Sequence, residues 1–260
     1  MKNKLLDILA RKSNLEEGKH HLLLLWLIFT GLFIFAITVS WQQGILIILY
    51  TSDKSYISYI ITLLYLFVAI HCAFRIVYIS GQINDSKAVE KLVRGNAELN
   101  LHKDDDKVHI NGNMILPDCI VTSYIHDLLS KSTNNRKNSE LASESDTKLI
   151  EVYEARLKNP HEIGWFSADL MIKMGLLGTI IGFIFMLGSV ANITDFDVTS
   201  MQKILKHMST GMGTALYTTL AGLVCSMLAS TQYQLLDSSV DKLIQTTQHL
   251  AQVYILPKIN

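Results

Sequence analysis

The stretches GLLGTIIGFIFMLGS (residues 175–189) and GMGTALYTTLAGLVCSMLA (residues 211–229) are apolar and contain no charged residue. Both are crowded with Gly, Ala, Ser and Thr in place of Leu and Phe. Residues three or four positions apart share a face of an α-helix, so the small residues of each stretch form one continuous stripe. Such stripes let helix backbones approach closely in a bilayer, where lipid chains give apolar helices no hydrophobic reason to associate. The two stretches therefore predict two membrane helices with closely packed small faces.

The composition of the whole chain is that of a membrane protein. Of its 260 residues, 49% are hydrophobic and 18% are charged, and the mean hydropathy is +0.27. The formal net charge is zero, so no overall field attracts nucleic acid. Cys72, Cys119 and Cys225 lack the paired spacing of a disulfide framework or a zinc site.

Four segments have the length of about 20 mainly apolar residues that a spanning helix needs. The predicted fold class is an all-α integral membrane protein with four transmembrane helices and a helical cytoplasmic insertion between the second and the third. The predicted segments are a cytoplasmic N-terminus (1–20), spans at 21–43, 56–79, 170–191 and 211–232, an insertion (80–169) with a mobile linker (131–147), a periplasmic loop (192–210) and a cytoplasmic helical extension (233–260).

The basic residues beside the spans predict the orientation of the chain. Residues 1–20 contain five Lys and Arg, whereas the connection between the first two spans carries only Lys54. Because positive residues favour the cytoplasmic side, both termini are predicted to be cytoplasmic. Lys203 and Lys206, in the predicted periplasmic loop, run against this pattern.

The small faces of the third and fourth spans have two interpretations, a helix-packing seam or the wall of a polar path. The small residues assigned to packing or to a pore wall are Gly175, Gly178, Gly182, Gly211, Ala215 and Gly222. The hydroxyl-bearing residues assigned to an ion pathway are Thr179, Thr214, Thr218 and Thr219. A path for a cation usually needs an ionisable group in the membrane, and neither span has one. A conducting path would therefore need a charge from another chain.

The motifs GLLGTIIGF (175–183) and TALYTTLAGL (214–223) resemble the paired signature of the MotA/TolQ/ExbB proton-channel family, over residues 160–257. The resemblance implies a multi-pass protein of the bacterial inner membrane that conducts H⁺ or Na⁺. It also implies a homopentamer around two copies of a single-span partner similar to MotB, ExbD or TolR. That partner would supply an intramembrane aspartate, and ion flow would be converted into mechanical motion.

Carried over residue by residue, the resemblance places Thr179 and Thr219 on the ion path. Thr214 stands where the TolQ and ExbB branches have a glutamate, and Leu228 stands where they have a proline. Four spans with a large insertion after the second are more similar to MotA, or to the membrane subunit of Zorya-type phage defence, than to the three-span TolQ and ExbB. The branch therefore stays open.

Other candidate residues favour structural roles. His71 and Arg75 lie one helical turn apart in the second span, where a structural or lipid-headgroup role is favoured over a peripheral proton step. HKDDDKVH (102–109) is expected to be a solvated acidic turn rather than a metal site. Asp195 and Asp197 are expected to be solvated, with attraction of cations as the alternative. Apolar residues of 233–260 are expected to bundle around the oligomer axis.

Two function classes follow. The first is an ion-conducting stator or energy-transducing subunit, and the alternative is a non-conducting membrane scaffold that uses the same seams for assembly. No catalytic constellation or phosphate-binding loop is present in the sequence, so we expect no enzyme activity, cofactor or resident metal. We expect a cytoplasmic effector, if there is one, to bind the insertion.

Overall fold

The computed structural model of the protein describes residues 21–95, 101–104, 107–110, 114–134, 139–191 and 198–259. Its helices are α1 (His21–Gln42), α2 (Ile45–Ser52), α3 (Ile57–Gly95), α4 (Ile120–Asn134), α5 (Ser139–Ala191), α6 (Val198–Leu250) and α7 (Leu256–Ile259), and a π-helical turn (Ala251–Ile255) joins the last two. Within these described ranges, four helices are long and apolar enough to cross a membrane. The predicted fold class is confirmed.

The insertion contains one element that the sequence analysis did not predict. Strands β1 (Leu101–Asp104), β2 (Lys107–Ile110) and β3 (Met114–Ile115) form a small antiparallel sheet in the order β1-β2-β3. Leu101 pairs with Ile110 and Asp104 pairs with Lys107, so β1 and β2 form a hairpin. The segment HKDDDKVH therefore lies in this hairpin, and its residues 105–106 are outside the described part of the chain.

Two predicted loops are largely helical. α4 ends at Asn134 and α5 begins at Ser139, so most of the predicted linker 131–147 is helix, because Leu, Ala, Glu and Lys within it favour helix. α6 begins at Val198, inside the predicted periplasmic loop. Residues 198–210 contain neither proline nor glycine, so nothing in this segment interrupts a helix. Asp195 and Asp197 lie outside the described residues.

By its contacts the chain divides into two units. The first comprises residues 1–25, 75–160 and 236–260, and its buried core includes Ile79, Val93, Ile125, Leu157, Leu236 and Val240. Leu236, Val240, Leu243 and Leu250 are buried inside this unit of a single chain. Contacts within the chain therefore cover these four side chains, whereas Tyr254 is half-buried, and the bundling of 233–260 around an oligomer axis stays a prediction.

Proline 160 lies inside α5, which continues on both sides of it. A proline removes one backbone donor and its ring crowds the carbonyl of the residue four positions earlier.

In the first unit, Nη2 of Arg75 donates a hydrogen bond to the carbonyl oxygen of Leu157 at 2.8 Å. Arg75 also lies over the ring of Tyr78, 5.1 Å from its centroid. These contacts support the structural interpretation of Arg75.

The second unit comprises residues 26–74 and 161–235 and contains most of the apolar length of the four spans. α1 ends in a turn at Gly44, whose φ of 75° is in the left-handed region that favours glycine. α2 then leads to the start of α3, where the hydroxyls of Tyr50 and Thr62 are 2.9 Å apart. None of the described residues of α1 is buried, so this helix presents most of its surface outward.

Asp53 follows the end of α2, its carboxylate binds the first turn of α3, and it is only 3% exposed. Its Oδ1 accepts from the backbone and hydroxyl of Ser55 at 2.8 and 2.6 Å, and its Oδ2 accepts from the backbone of Ser58 at 2.8 Å. Burial alone would raise the pKa of Asp53, but these hydrogen bonds outweigh burial and hold the pKa below its usual value of 3.8. The charged form is therefore the one that stabilises the fold.

Replacement of Asp53 by alanine is expected to lower stability by about 1 kcal/mol at neutral pH, the usual cost of a lost N-terminal cap. Because the pKa of Asp53 is lowered in the folded protein, this contribution is present above about pH 4 and is lost as pH falls through the lowered pKa. Thermal unfolding of Asp53→Ala and wild type should thus differ at pH 7 and converge as the pH falls below the lowered pKa of Asp53. Asp118→Ala, at an exposed carboxylate, is the control and should show no such difference.

Candidate functional site

The small faces of α5 and α6 are packed directly against each other. A Cβ placed on Gly182 would lie 2.6 Å from the backbone nitrogen of Ala215 and 2.8 Å from the carbonyl oxygen of Gly211. A Cβ on Gly222 would lie 2.7 Å from the carbonyl oxygen of Met171 and 3.0 Å from Cα of Gly175. These distances are below or at the limit of real contacts, so only glycine allows this approach. We call this surface, formed by Gly175, Gly178, Gly182, Gly211, Ala215, Thr218 and Gly222, the α5–α6 seam.

The bulky residues of the same two helices point away from the seam. On α5 the exposed apolar residues include Ile180, Phe183, Ile184 and Leu187, and on α6 they include Met212, Leu216, Leu220, Leu223 and Met227. Each helix therefore has a small inner face and a bulky outer face, as the sequence predicts. The outer faces suit lipid or neighbouring copies of the chain, since both present apolar surface.

Two of the predicted pathway threonines, Thr214 and Thr218, are 0% exposed. The hydroxyl of Thr218 donates to the carbonyl oxygen of Thr214 at 2.9 Å, one turn earlier on α6. Its side chain fills the space beside Gly178, where a Cβ would lie 2.3 Å from its Oγ1. The hydroxyl of Thr214 donates to the carbonyl oxygen of Ser52 at 2.7 Å, at the end of α2. Both threonines therefore join elements of a single chain.

The other two pathway threonines, Thr179 and Thr219, are half-buried at the edge of the seam. The hydroxyl of Thr219 donates to Ala215 at 3.0 Å on its own helix and to Gly175 at 3.2 Å on α5, through carbonyl oxygens in both cases. The hydroxyl of Thr179 donates to the carbonyl oxygen of Leu176. Among the four threonines, these two keep part of their surface accessible from outside the chain.

His71 contacts a residue that the sequence analysis did not single out. Its Nδ1 lies 2.7 Å from the hydroxyl of Tyr233 on α6. His161 on α5 packs against the same tyrosine, with ring centroids 6.3 Å apart. Gly164 leaves the space for this ring, because a Cβ there would lie 1.9 Å from its Cζ. No local pattern predicted this cluster, since its residues come from three distant helices.

The α5–α6 seam itself contains no ionisable side chain. Residues 175–191 and 211–232 include no Asp, Glu, Lys, Arg or His. Within the part of the chain that the structure describes, no group of three His, Cys, Asp or Glu residues is placed to bind a metal ion. The edge of the seam can thus offer the hydroxyl oxygens of Thr179 and Thr219 to an ion, while any charge that titrates must come from elsewhere.

Comparison with known proteins gives one match. The model of the MotA/TolQ/ExbB proton channel family matches residues 119–249, just over half of the chain. No curated protein and no solved structure matches the chain. Family members are channel or transducer proteins rather than enzymes, and the match includes both helices of the seam. Together with its four apolar helices, this match identifies the chain as a multi-pass membrane protein that belongs to the MotA/TolQ/ExbB proton channel family.

Proposed function

We propose that the chain is the channel subunit of an ion-driven complex, in which copies of it surround a single-span partner that carries an intramembrane aspartate. One observation carries this proposal: the α5–α6 seam is bordered by hydroxyl groups but contains no ionisable side chain. Family membership supports a proton channel, and a channel of this composition needs a titratable group from a second chain. The ring of five copies rests on the family resemblance.

The partner's aspartate would couple ion movement to motion by changing its charge. A charged carboxylate is costly near the middle of a bilayer, so it is neutralised by a proton or pairs with a cation such as Na⁺. Each change of charge alters which position along the wall of the ring it prefers. The transmembrane potential supplies about 2.3 kcal/mol per charge for every 100 mV, which is enough to bias such steps.

Within the chain, the four threonines take two different roles in this proposal. Thr179 and Thr219 lie at the edge of the seam and are half-buried, so they face the path and hold water or the ion. Thr214 and Thr218 are fully buried and bind backbone oxygens of their own chain, so they keep the wall in place behind the path. None of the four acts as an acid or a base.

The location that fits this proposal is the bacterial inner membrane, with both termini in the cytoplasm. The five Lys and Arg of residues 1–20 support it, since positive residues accumulate on the cytoplasmic side. The insertion with its small sheet then lies in the cytoplasm, where an effector would bind. Motility, energisation of an outer membrane and defence all fit such a subunit.

The second candidate function is a non-conducting scaffold. It is favoured by the burial of Thr214 and Thr218, because a seam whose hydroxyls bind only backbone oxygens is sufficient for assembly. A scaffold needs no partner with an intramembrane carboxylate, whereas a channel does. The partner therefore distinguishes the two functions.

The test is ion flux into proteoliposomes that contain this chain and a single-span partner with an intramembrane aspartate. A potassium diffusion potential drives uptake, and an internal pH-sensitive dye reports protons. We expect uptake with the wild-type partner and loss of at least about 90% of it when the partner's aspartate is changed to asparagine, about 1.4 kcal/mol in the barrier. Repeating the assay with a sodium gradient separates H⁺ from Na⁺. A well-formed complex that conducts neither ion would support the scaffold.

A further inference from the structure

His71, His161 and Tyr233 form a polar cluster that no part of the proposed ion path uses. The three residues belong to α3, α5 and α6 in turn, so the cluster joins three membrane helices. Tyr233 is 0% exposed and His161 is 1% exposed, while His71 is half-buried. The hydrogen bond between His71 Nδ1 and the Tyr233 hydroxyl is 2.7 Å long. Two imidazoles therefore flank one buried phenol.

The position of the tyrosine ring is built into the packing of α5 against α6. Gly164 follows His161 by three residues, so both lie on one face of α5. The ring of Tyr233 occupies the place where any side chain at position 164 would begin. The ring is therefore fixed by packing beside Gly164, and this position places its hydroxyl next to Nδ1 of His71.

Charged residues lie close in sequence to the cluster on each of the three helices that supply it. Arg75 follows His71 by one helical turn, and Asp237 follows Tyr233 by one turn. On α5, Glu162 is exposed, and Lys158 forms ion pairs with Glu154 and Asp241. Each supplying helix thus carries charged groups close to the cluster in sequence. The histidines are the groups in the cluster whose ordinary pKa lies closest to neutral pH.

We propose that His71, Tyr233 and His161 form a protonation-sensitive lock that fixes α6 to α3 and α5. When His71 is neutral with its hydrogen on Nε2, its Nδ1 accepts the hydrogen bond of the Tyr233 hydroxyl. When His71 gains a proton, both of its nitrogens become donors, so the bond to Tyr233 must reverse. The phenol hydrogen then loses this acceptor, and a positive charge is placed beside the buried imidazole of His161. Acidification therefore loosens the lock.

The role of this lock in the complex rests on the proposed function. In a channel that releases protons on the inner side, local acidification would loosen the inner part of α6 and slow further transport. The lock itself requires no partner and no ion flow. It is therefore tested on the full-length chain alone, in lipid nanodiscs, so that failure of the channel proposal and failure of the lock give different results.

The first experiment compares thermal unfolding at pH 7.5 and pH 5.5, on either side of the ordinary imidazole pKa of about 6.5. We expect the unfolding midpoint of wild type to fall, between these two pH values, by about 3 °C more than that of Tyr233→Phe, a shift typical of about 1 kcal/mol in a chain of this size. Tyr233→Phe keeps the ring beside Gly164 and removes only the hydroxyl. His249→Gln, at an exposed histidine of α6, is the control and should behave as wild type does.

The second experiment measures the protonation of histidine Nδ1 directly in the wild-type protein, so it needs no variant that might misfold. Solid-state NMR of protein labelled with ¹⁵N-histidine distinguishes a protonated from an unprotonated Nδ1. We expect His71 to have an unprotonated, hydrogen-bonded Nδ1 at pH 7.5 and a protonated one at pH 5.5. Protonation of Nδ1 already at pH 7.5 would overturn the lock, and so would equal pH sensitivity of wild type and Tyr233→Phe.

Discussion

Replacement of Gly182 by alanine is expected to prevent normal packing of α5 against α6 and to lower the unfolding midpoint by about 10 °C. The added methyl group would meet backbone atoms of α6, the nitrogen of Ala215 at 2.6 Å and the carbonyl oxygen of Gly211 at 2.8 Å. Backbone atoms cannot rotate away as a side chain does, so the two helices must separate. Overpacking of this kind costs about 3 kcal/mol, and part of the loss will appear as reduced yield of folded protein.

The matched control for this variant is Gly188→Ala on the same helix. A Cβ at Gly188 has no atom of the chain within 4 Å. The two variants make the same chemical change and carry the same gain in helix propensity, so they differ only in what the methyl group meets. Gly188→Ala should leave the midpoint unchanged or raise it slightly. Equal behaviour of the two variants would show that α5 and α6 are not closely packed at Gly182.

Replacement of Thr219 by valine is expected to reduce ion flux by about tenfold or more while the complex still assembles. Valine keeps the shape of threonine and removes the hydroxyl, which lies at the edge of the seam. A loss of about 1.4 kcal/mol in the barrier for ion transfer corresponds to a tenfold change in rate. The measurement is potential-driven uptake into proteoliposomes with the partner present, normalised to the amount of assembled complex. Adding Thr179→Val should reduce flux further.

Two threonines of α6 provide the controls for this prediction. Thr231 is exposed, and its hydroxyl donates to Met227 four residues earlier, so Thr231→Val removes the same kind of local bond outside the seam. Thr218 is fully buried, and its hydroxyl binds only carbonyl oxygens of its own helix. Thr231→Val should leave flux unchanged, and Thr218→Val should change stability more than flux. Equal loss of flux in all three variants would remove Thr219 from the path.

The seam and its two faces were predictable because their signal is local. Gly175, Gly178 and Gly182 recur at helical spacing, and so do the bulky residues opposite them. Two helices with such faces have one favourable way to pack in lipid, through their small sides. The end of α1 at Gln42 is also close to the predicted end of the first span at residue 43, since Gly44 supports the left-handed turn that follows.

Contacts between residues far apart in sequence were not predictable from the same patterns. Thr214 binds the carbonyl oxygen of Ser52, which is separated from it by 162 positions. The same separation lies between His71 and Tyr233. Periodicity shows which face of a helix is buried but not which neighbour covers it. For this reason the sequence could identify Thr214 as a candidate and could not show that its hydroxyl is already engaged.

The helical extent of the polar segments was missed for a different reason. The residues after Ser139 are polar and lack aromatic side chains, which favours a linker when they are considered alone. In the chain they form the first turns of α5, whose later apolar residues, such as Ile150 and Leu157, are buried. Once that packed helix exists, each added turn costs little, because helix growth is far easier than initiation.

The contact between α5 and α6 also determines which parts of this subunit are free to move. Sliding or rotation of one helix past the other would bring Gly182 or Gly222 against side chains that their positions have no space to accept. Along the seam the two helices are therefore expected to keep one register. In the proposed ion-driven cycle, movement would therefore take place at the outer faces, where exposed Leu, Ile, Phe and Met side chains would contact lipid or other copies of the chain.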